Sequence, residues 1–280
     1  MTFDSNLISV DSERRFGGLA RLYGAAGAAR IRAAHIVVVG LGGVGSWAAE
    51  AAARSGVARL TLVDLDHVAE SNINRQVHAL DTSLGQAKVQ AMRERIAHIN
   101  PHCHVECIEE FVDAANWPAL VSLDSGFDRR QLAVIDACDQ VRAKTAMAAW
   151  AIHNRAIFIS VGAAGGKRLA HRAEIEDLSL VTHDPLLAQL RYRLRKEHGA
   201  ARQGKIGAAC VFSREPVLQP AAVCALAASP GEDEAAVVSA AARSAQSDGS
   251  LNCHGYGSVV SVTATFGLCA TGWILNKIAA

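Results

Sequence analysis

The sequence predicts an α/β protein built on a doubly wound parallel sheet. Three observations predict it. Short apolar runs that read as buried parallel strands recur through residue 165, and helical stretches alternate with them. The first run leads directly into a glycine-rich turn, and the second ends in an aspartate. After residue 165 the alternation loosens, so a C-terminal extension is expected to complete the sheet and to carry an apolar helix.

Composition bounds what the chain can be. Its 280 residues suffice for one large or two modest domains. Hydrophobic residues make up 50% and charged residues 20%, as in an ordinary soluble globule. A net charge of +1 does not announce nucleic acid, so any basic patch must be local. The seven cysteines follow no pairing scheme, which reads as reduced thiols in a cytoplasmic protein. The polar N-terminus lacks the apolar core of a signal peptide.

Residues 1–34 read as a polar helical segment bearing Arg14, Arg15 and Arg21. Ile36 to Val39 is the first strand. Gly40, Gly42 and Gly45 follow as G-x-G-x-x-G, a turn tight enough to bring backbone N–H groups against a phosphate. The Ala-rich SWAAEAAARSG is a helix ending at Gly56, its N-terminus turned toward that anion. Leu60 to Val63 is the second strand, ending in Asp64. An acid about twenty residues past the glycines is where ribose hydroxyls are gripped.

The next stretch, LDHVAESNINRQ, is more polar than a dehydrogenase needs. Asp66, Asn72, Arg75 and Gln76 supply a carboxylate, amides and a guanidinium whose planar fork suits phosphate. Ser71 and Asn72 equally suit a capped turn. Leu84 to Ile99 reads as a helix with Lys88 in its first turns, close to where phosphates would lie. HCHVECI alternates like a strand; its His and Cys spacing does not match a zinc site.

Leu132 to Ile135 is a third buried strand, followed by Asp136 and Asp139. Ligands bind beyond the carboxyl ends of such strands, and two carboxylates there suit Mg²⁺. Asp139 also suits the N-cap of the helix Val141 to Asn154. AIFISVGAAGG is the next strand and turn, and it closes a core of residues 35–165.

Residues 166–280 differ. AHRAEIEDLS and GAACVFSRE read as strands, the second carrying Cys210. Between them Asp184 caps a helix with Pro185 at its first position and Gly199 past its end. That helix and the loop behind it hold Arg191, Arg193, Arg195, Lys196, Arg202 and Lys205, joined by Lys167 and Arg168 into the strongest basic cluster. It is either a solvated face or a contact with a phosphate backbone. Residues 229–250 are small and acidic and predict a mobile loop. The uncharged Gly255–Asn276 stretch is interrupted by Gly267, Gly272 and several Ser and Thr. It predicts a core or dimer helix, Val259 to Leu275, and no stable membrane insertion.

GLGGVGS, LVDLDHVAESNINRQ, GQAKV and VIDACDQVRAK together resemble the adenylating domain shared by ubiquitin-activating enzymes and the molybdopterin- and thiamine-pathway activating enzymes. RFGGLARLYG, NRQVHAL, DPLLAQLRYRLRKEHG, CVFSREPV and VTATFG extend the resemblance over nearly the whole chain, to the tRNA threonylcarbamoyladenosine dehydratases. The resemblance implies a Rossmann-like core that uses ATP to activate the carboxylate of threonylcarbamoyladenosine in tRNA, so that an internal nitrogen closes a ring. It implies that Gly40, Gly42 and Gly43 contact ATP, that Asp64 holds its ribose, and that Asn72, Arg75 and Lys88 hold its phosphates. Asp66, Gln76 and Asp136 join that site, and Asp139 takes the Mg²⁺.

The resemblance further implies a homodimer in which an N-terminal arginine reaches the partner's ATP. Arg15 is the first candidate and Arg21 the second, because Gly17-Gly18 stands where some relatives show another arginine. Arg75, Lys88, Asp139 and Arg15 would then be catalytic. Arg191, Arg195, Lys196, Arg202 and Lys205 would face tRNA, and sulfur-transfer proteins would serve as helpers. The C-x-x-C zinc pairs of many relatives are missing, and Cys210 lacks the motif around their acceptor cysteine, so it reads as core. The alternative is an activator of a ubiquitin-like or sulfur-carrier protein, which would share every ATP residue. A dinucleotide-binding redox module fits less well, since nicotinamide chemistry needs no triphosphate clamp.

Overall fold

The computed structural model describes residues 11–121, 130–218 and 256–280. β1 (His35–Val39), β2 (Arg59–Val63), β3 (His104–Ile108), β4 (Leu132–Asp136), β5 (Ile157–Val161), β6 (Ala173–Asp177) and β7 (Ala209–Ser213) form one sheet in the order β3-β2-β1-β4-β5-β7-β6. All neighbours are parallel except β6, which runs antiparallel to β7 at the edge. Glu174, Glu176 and Asp177 give that edge strand charge that discourages further pairing. The strand order reverses between β1 and β4. There Val39 pairs with both Val63 and Asp136, which lines up the carboxyl ends of three strands.

Helices cover both faces, so successive strand residues enter two separate cores. Ile36, Val38, Leu60, Leu62 and Ile135 pack into one core, and Val37, Val39, Val63 and Val134 into the other. The N-terminal segment is two helices, α1 (Ser12–Phe16) and α2 (Gly18–Ala33), the latter kinked at Gly24. α3 (Gly45–Arg54) and α4 (Lys88–Ile99) lie on the same face as α2. α5 (Val141–Asn154) and α6 (Pro185–Glu197) cover the other face. α4 begins at Lys88 and not at Leu84, because Ser83 closes a 3₁₀ turn and Gly85 takes φ +81°, which interrupts helical geometry. The proposed loop 229–250 lies outside the described residues.

α7 (Val260–Ala279) completes the first core by packing against α3 and the sheet. Contact is close: a side chain at Gly267 would collide with the Val44 carbonyl oxygen. Thr271, one of the polar residues that interrupt the apolar run, donates to the Ala48 carbonyl at 3.0 Å. Among the described residues no helix is long and apolar enough to cross a membrane.

Candidate active site

The carboxyl ends of β1, β2, β4 and β5 and the segment after β3 surround a cleft of about 220 Å³. It sits at the reversal of strand order, where open α/β sheets bind ligands. The glycine loop shapes its floor. Gly40 has φ +86°, and a Cβ there would lie 2.9 Å from the Ala137 carbonyl. A Cβ at Gly45 would collide with the Gly40 oxygen. Gly42 is different: a Cβ there would meet nothing within 4 Å. Its backbone therefore borders open space at the N-terminus of α3, as an anion cradle requires.

Asp64 is fixed by its backbone. Its Oδ2 accepts from the Leu41 N–H at 2.5 Å, and its Oδ1 from the Asp66 N–H at 2.8 Å. Burial raises its pKa above the usual carboxylate value, against the opposing pull of Lys88. Lys88 starts α4, with Nζ 2.7 Å from Asp66 Oδ2 and 3.9 Å from Asp64 Oδ1. Asn72 caps the short turn Glu70–Asn72 by accepting from the Ala69 N–H at 3.0 Å. Arg75 donates through Nη1 to the Ser71 carbonyl and the Asn74 amide oxygen. Trp47 Nε1 holds the Arg75 carbonyl at 2.9 Å, so the loop does not depend on the guanidinium. Gln76 Oε1 is buried and has no hydrogen-bond partner within the chain, although Gln76 lines the cleft. That leaves an acceptor for a ligand's donor.

Asp139 lines the cleft from the loop after β4, but Asp136 does not. Asp136 is fully buried beneath that loop, 3.0 Å from Lys144 Nζ and 2.6 Å from Ser160 Oγ. Lys144 also donates to the Val161 carbonyl at 2.8 Å. Burial, the largest single influence, works to lower the Lys144 pKa, but the charge and hydrogen bond of Asp136 together with Cys138 and Cys210 outweigh it and the net shift is upward. This buried group ties α5 to the ends of β4 and β5. Sequence reading missed it, because a lysine in a helix normally reads as solvated. It also missed Glu110–Val112, Gly162–Gly165, Leu186, Tyr256, Ser258 and Thr263, all of which line the cleft although none was marked as a site residue by its local sequence.

Arg15 is not in this cleft. It lines a separate groove of about 790 Å³ with Phe16, Arg54, His78 and Arg95, and donates to the Ile99 carbonyl at 2.8 Å. Arg21 is exposed on α2 and lines neither.

The basic cluster is smaller than its sequence suggests. Lys167 leaves it: the side chain is buried and donates to the Ser213 and Glu215 carbonyls at 2.8 and 3.0 Å. Arg191 braces the Leu178 and Val181 carbonyls, and Arg195 braces those of Ala201 and Arg202. Lys196, Arg202 and Lys205 are exposed. Cys210 is fully buried in β7, and burial pushes its thiol far above the ordinary value.

The model of the ThiF family matches residues 16–173. The tRNA threonylcarbamoyladenosine dehydratase of Escherichia coli is 40% identical over 99% of this chain and 97% of its own length. That of Haemophilus influenzae is 37% identical over 95% of this chain and 94% of its own. A crystal structure of the Escherichia coli tRNA N6-threonylcarbamoyladenosine dehydratase in complex with ATP matches at a TM-score of 0.77 and 38% identity, covering 95% of this chain and 94% of that one.

Proposed function

The chain belongs to the ThiF family and, within it, to the tRNA threonylcarbamoyladenosine dehydratases, and on that premise we propose that it uses ATP to dehydrate threonylcarbamoyladenosine in tRNA, closing a ring. The observation that carries this is one cleft lined by Gly42, Asp64, Arg75, Lys88 and Asp139 at the reversal of the sheet.

The residues fit ATP. Gly42 borders the open cradle; of the other residues lining the cleft, we assign Asp64 to the ribose and Asn72, Arg75 and Lys88 to the phosphates. ATP supplies the leaving group: a carboxylate would have to expel oxide, and its adenylate expels AMP. Pyrophosphate departs earlier, as the carboxylate oxygen bonds to the α-phosphorus, and Arg75 and Lys88 would meet the charge that develops on it. Ring closure needs only an internal nitrogen held in position. The lining acids Asp64, Asp66, Glu110 and Asp139 outnumber Arg75 and Lys88. A divalent cation would offset that excess, and Mg²⁺ takes one or two carboxylates together with phosphate oxygens. Asp139 is the ligand we assign, and Asp136 supports its loop from below.

Arg15 lines a different groove of its own chain, so its action on ATP requires a homodimer in which it enters the partner's cleft. The surface of Lys196, Arg202 and Lys205 faces tRNA, braced by Arg191 and Arg195, and a tRNA substrate places the enzyme in the cytoplasm. The rival activator of a carrier protein needs an accessible acceptor thiol, and Cys210, the cysteine nearest the crossover position of such enzymes, is buried. Calorimetry with Mg²⁺–ATP and with NAD tests the nucleotide assignment. ATP should bind and NAD should not; tighter NAD binding overturns it.

A further inference from the structure

We propose that the outer face of α6 is a stacking site for an unpaired nucleobase, with the Tyr192 ring as its platform. The inference rests on the reading that the substrate is tRNA. A groove of about 620 Å³ is lined by Ala188, Arg191, Tyr192, Arg195, Lys196 and Arg202. Helical spacing puts the first five on one stripe of α6. Four of the six are cations and none is an acid. The one acid of α6, Glu197, is taken up by Arg193 at 3.0 Å.

Charge alone would suit any phosphate backbone. Tyr192 adds something a backbone contact does not use. The residue is 63% exposed and lines the cationic groove. Large aromatic side chains are normally at least half buried, and an exposed one among cations matches single-stranded nucleic-acid sites, where bases stack on rings while cations follow the phosphates. Lys196 Nζ lies 5.7 Å from the ring centroid, so a base on that ring has a cation at hand for its phosphate. Arg191 and Arg195 are already fixed by four backbone carbonyls. The walls of the groove are therefore rigid before RNA arrives. Duplex RNA buries its base faces, so the ligand class is an unpaired loop whose bases can splay outward.

The groove also lies near the reaction site. Buried Leu186 in the first turn of α6 lines the nucleotide cleft, and Tyr192 is six residues further on, about 9 Å along the axis and roughly a third of a turn round it on the outer face. One RNA loop can place its reacting nucleoside in the cleft and a neighbouring base on Tyr192.

Binding of labelled tRNA, and of a blunt RNA duplex of similar length, to the full-length parent, Tyr192→Ala, Tyr192→Phe and Lys196→Ala across a salt series tests this. Tyr192→Ala should weaken tRNA binding about tenfold or more with an unchanged salt slope, while Tyr192→Phe matches the parent. Duplex binding should not respond to either substitution. Lys196→Ala should flatten the salt slope by about one contact. Equal tRNA affinity for the parent and Tyr192→Ala, while the parent dehydrates tRNA, overturns stacking alone. An equal loss on duplex RNA also overturns it, because the residue then acts on the fold or the backbone. A parent that neither binds nor alters tRNA overturns the proposed function together with this inference.

Discussion

Lys88 Nζ lies 2.7 Å from Asp66 Oδ2, and this pair forms part of the cleft wall beside Asp64. The lysine lies between two carboxylates, with Asp64 Oδ1 at 3.9 Å on its other side. Lys88→Ala and Arg75→Ala should each cut the adenylation rate by about 10²–10³-fold, the usual cost of losing one preorganised donor. Pyrophosphate exchange measures this. Arg75→Ala should leave the denaturation midpoint near the parent's, because Trp47 still holds the loop. Full exchange activity in either variant refutes its role.

Lys144→Met should cost about 3–5 kcal/mol of stability, since it removes the cationic partner of the fully buried Asp136 carboxyl. Adding Asp136→Asn should restore part of the loss, because a neutral amide costs less to bury. Urea denaturation of the single and double variants checks this. A single variant as stable as the parent contradicts the buried pair.

His78 and His35 make the fold acid-sensitive. Burial is the main cause that lowers each from 6.5 to about 4. Both rings are neutral in the fold and charge when the chain unfolds, so the unfolded chain binds more protons. Stability is therefore full above pH 6.5 and falls as the pH drops toward 4. For His78, which is almost wholly buried, the loss by pH 4 is about 3 kcal/mol. Melting curves of the parent and of His78→Gln between pH 7 and 4 check this; the variant should lose less. Parallel curves contradict the assignment.

Arg15 and Lys88 should complement each other across subunits. Each single Ala variant should be nearly inactive, while a mixture of Arg15→Ala and Lys88→Ala chains should regain one intact cleft per mixed dimer. Absence of recovery, with subunit exchange demonstrated, contradicts action in trans.

The strands, the glycine loop and the order of elements were legible because burial on both sheet faces leaves apolar runs, and because the turn geometry at Gly40 and Gly45 admits almost nothing else. Asp64, Lys88 and Asp139 could be named because each follows a strand end or opens a helix near one, and Arg75 because it stands in a polar cluster whose guanidinium suits phosphate. Lys144 was not legible: its partner Asp136 is reached only when α5 folds back on β4. Tyr256, Ser258 and Thr263 enter the cleft from the far end of the chain, and no local pattern announces that. Lys167 read as a member of the basic cluster, and neither its burial on backbone carbonyls nor the bracing of Arg191 against Val181 could be seen, because those acceptors are set by tertiary packing and not by spacing along the chain.

The most direct test of the account is mass spectrometry of nucleosides from tRNA bearing threonylcarbamoyladenosine, after incubation with the enzyme, ATP and Mg²⁺. The account predicts ATP-dependent conversion of that nucleoside to a product lighter by one water, with about 10²–10³-fold slower conversion by Lys88→Ala. An unchanged nucleoside, from an enzyme that is folded and binds ATP, would contradict it.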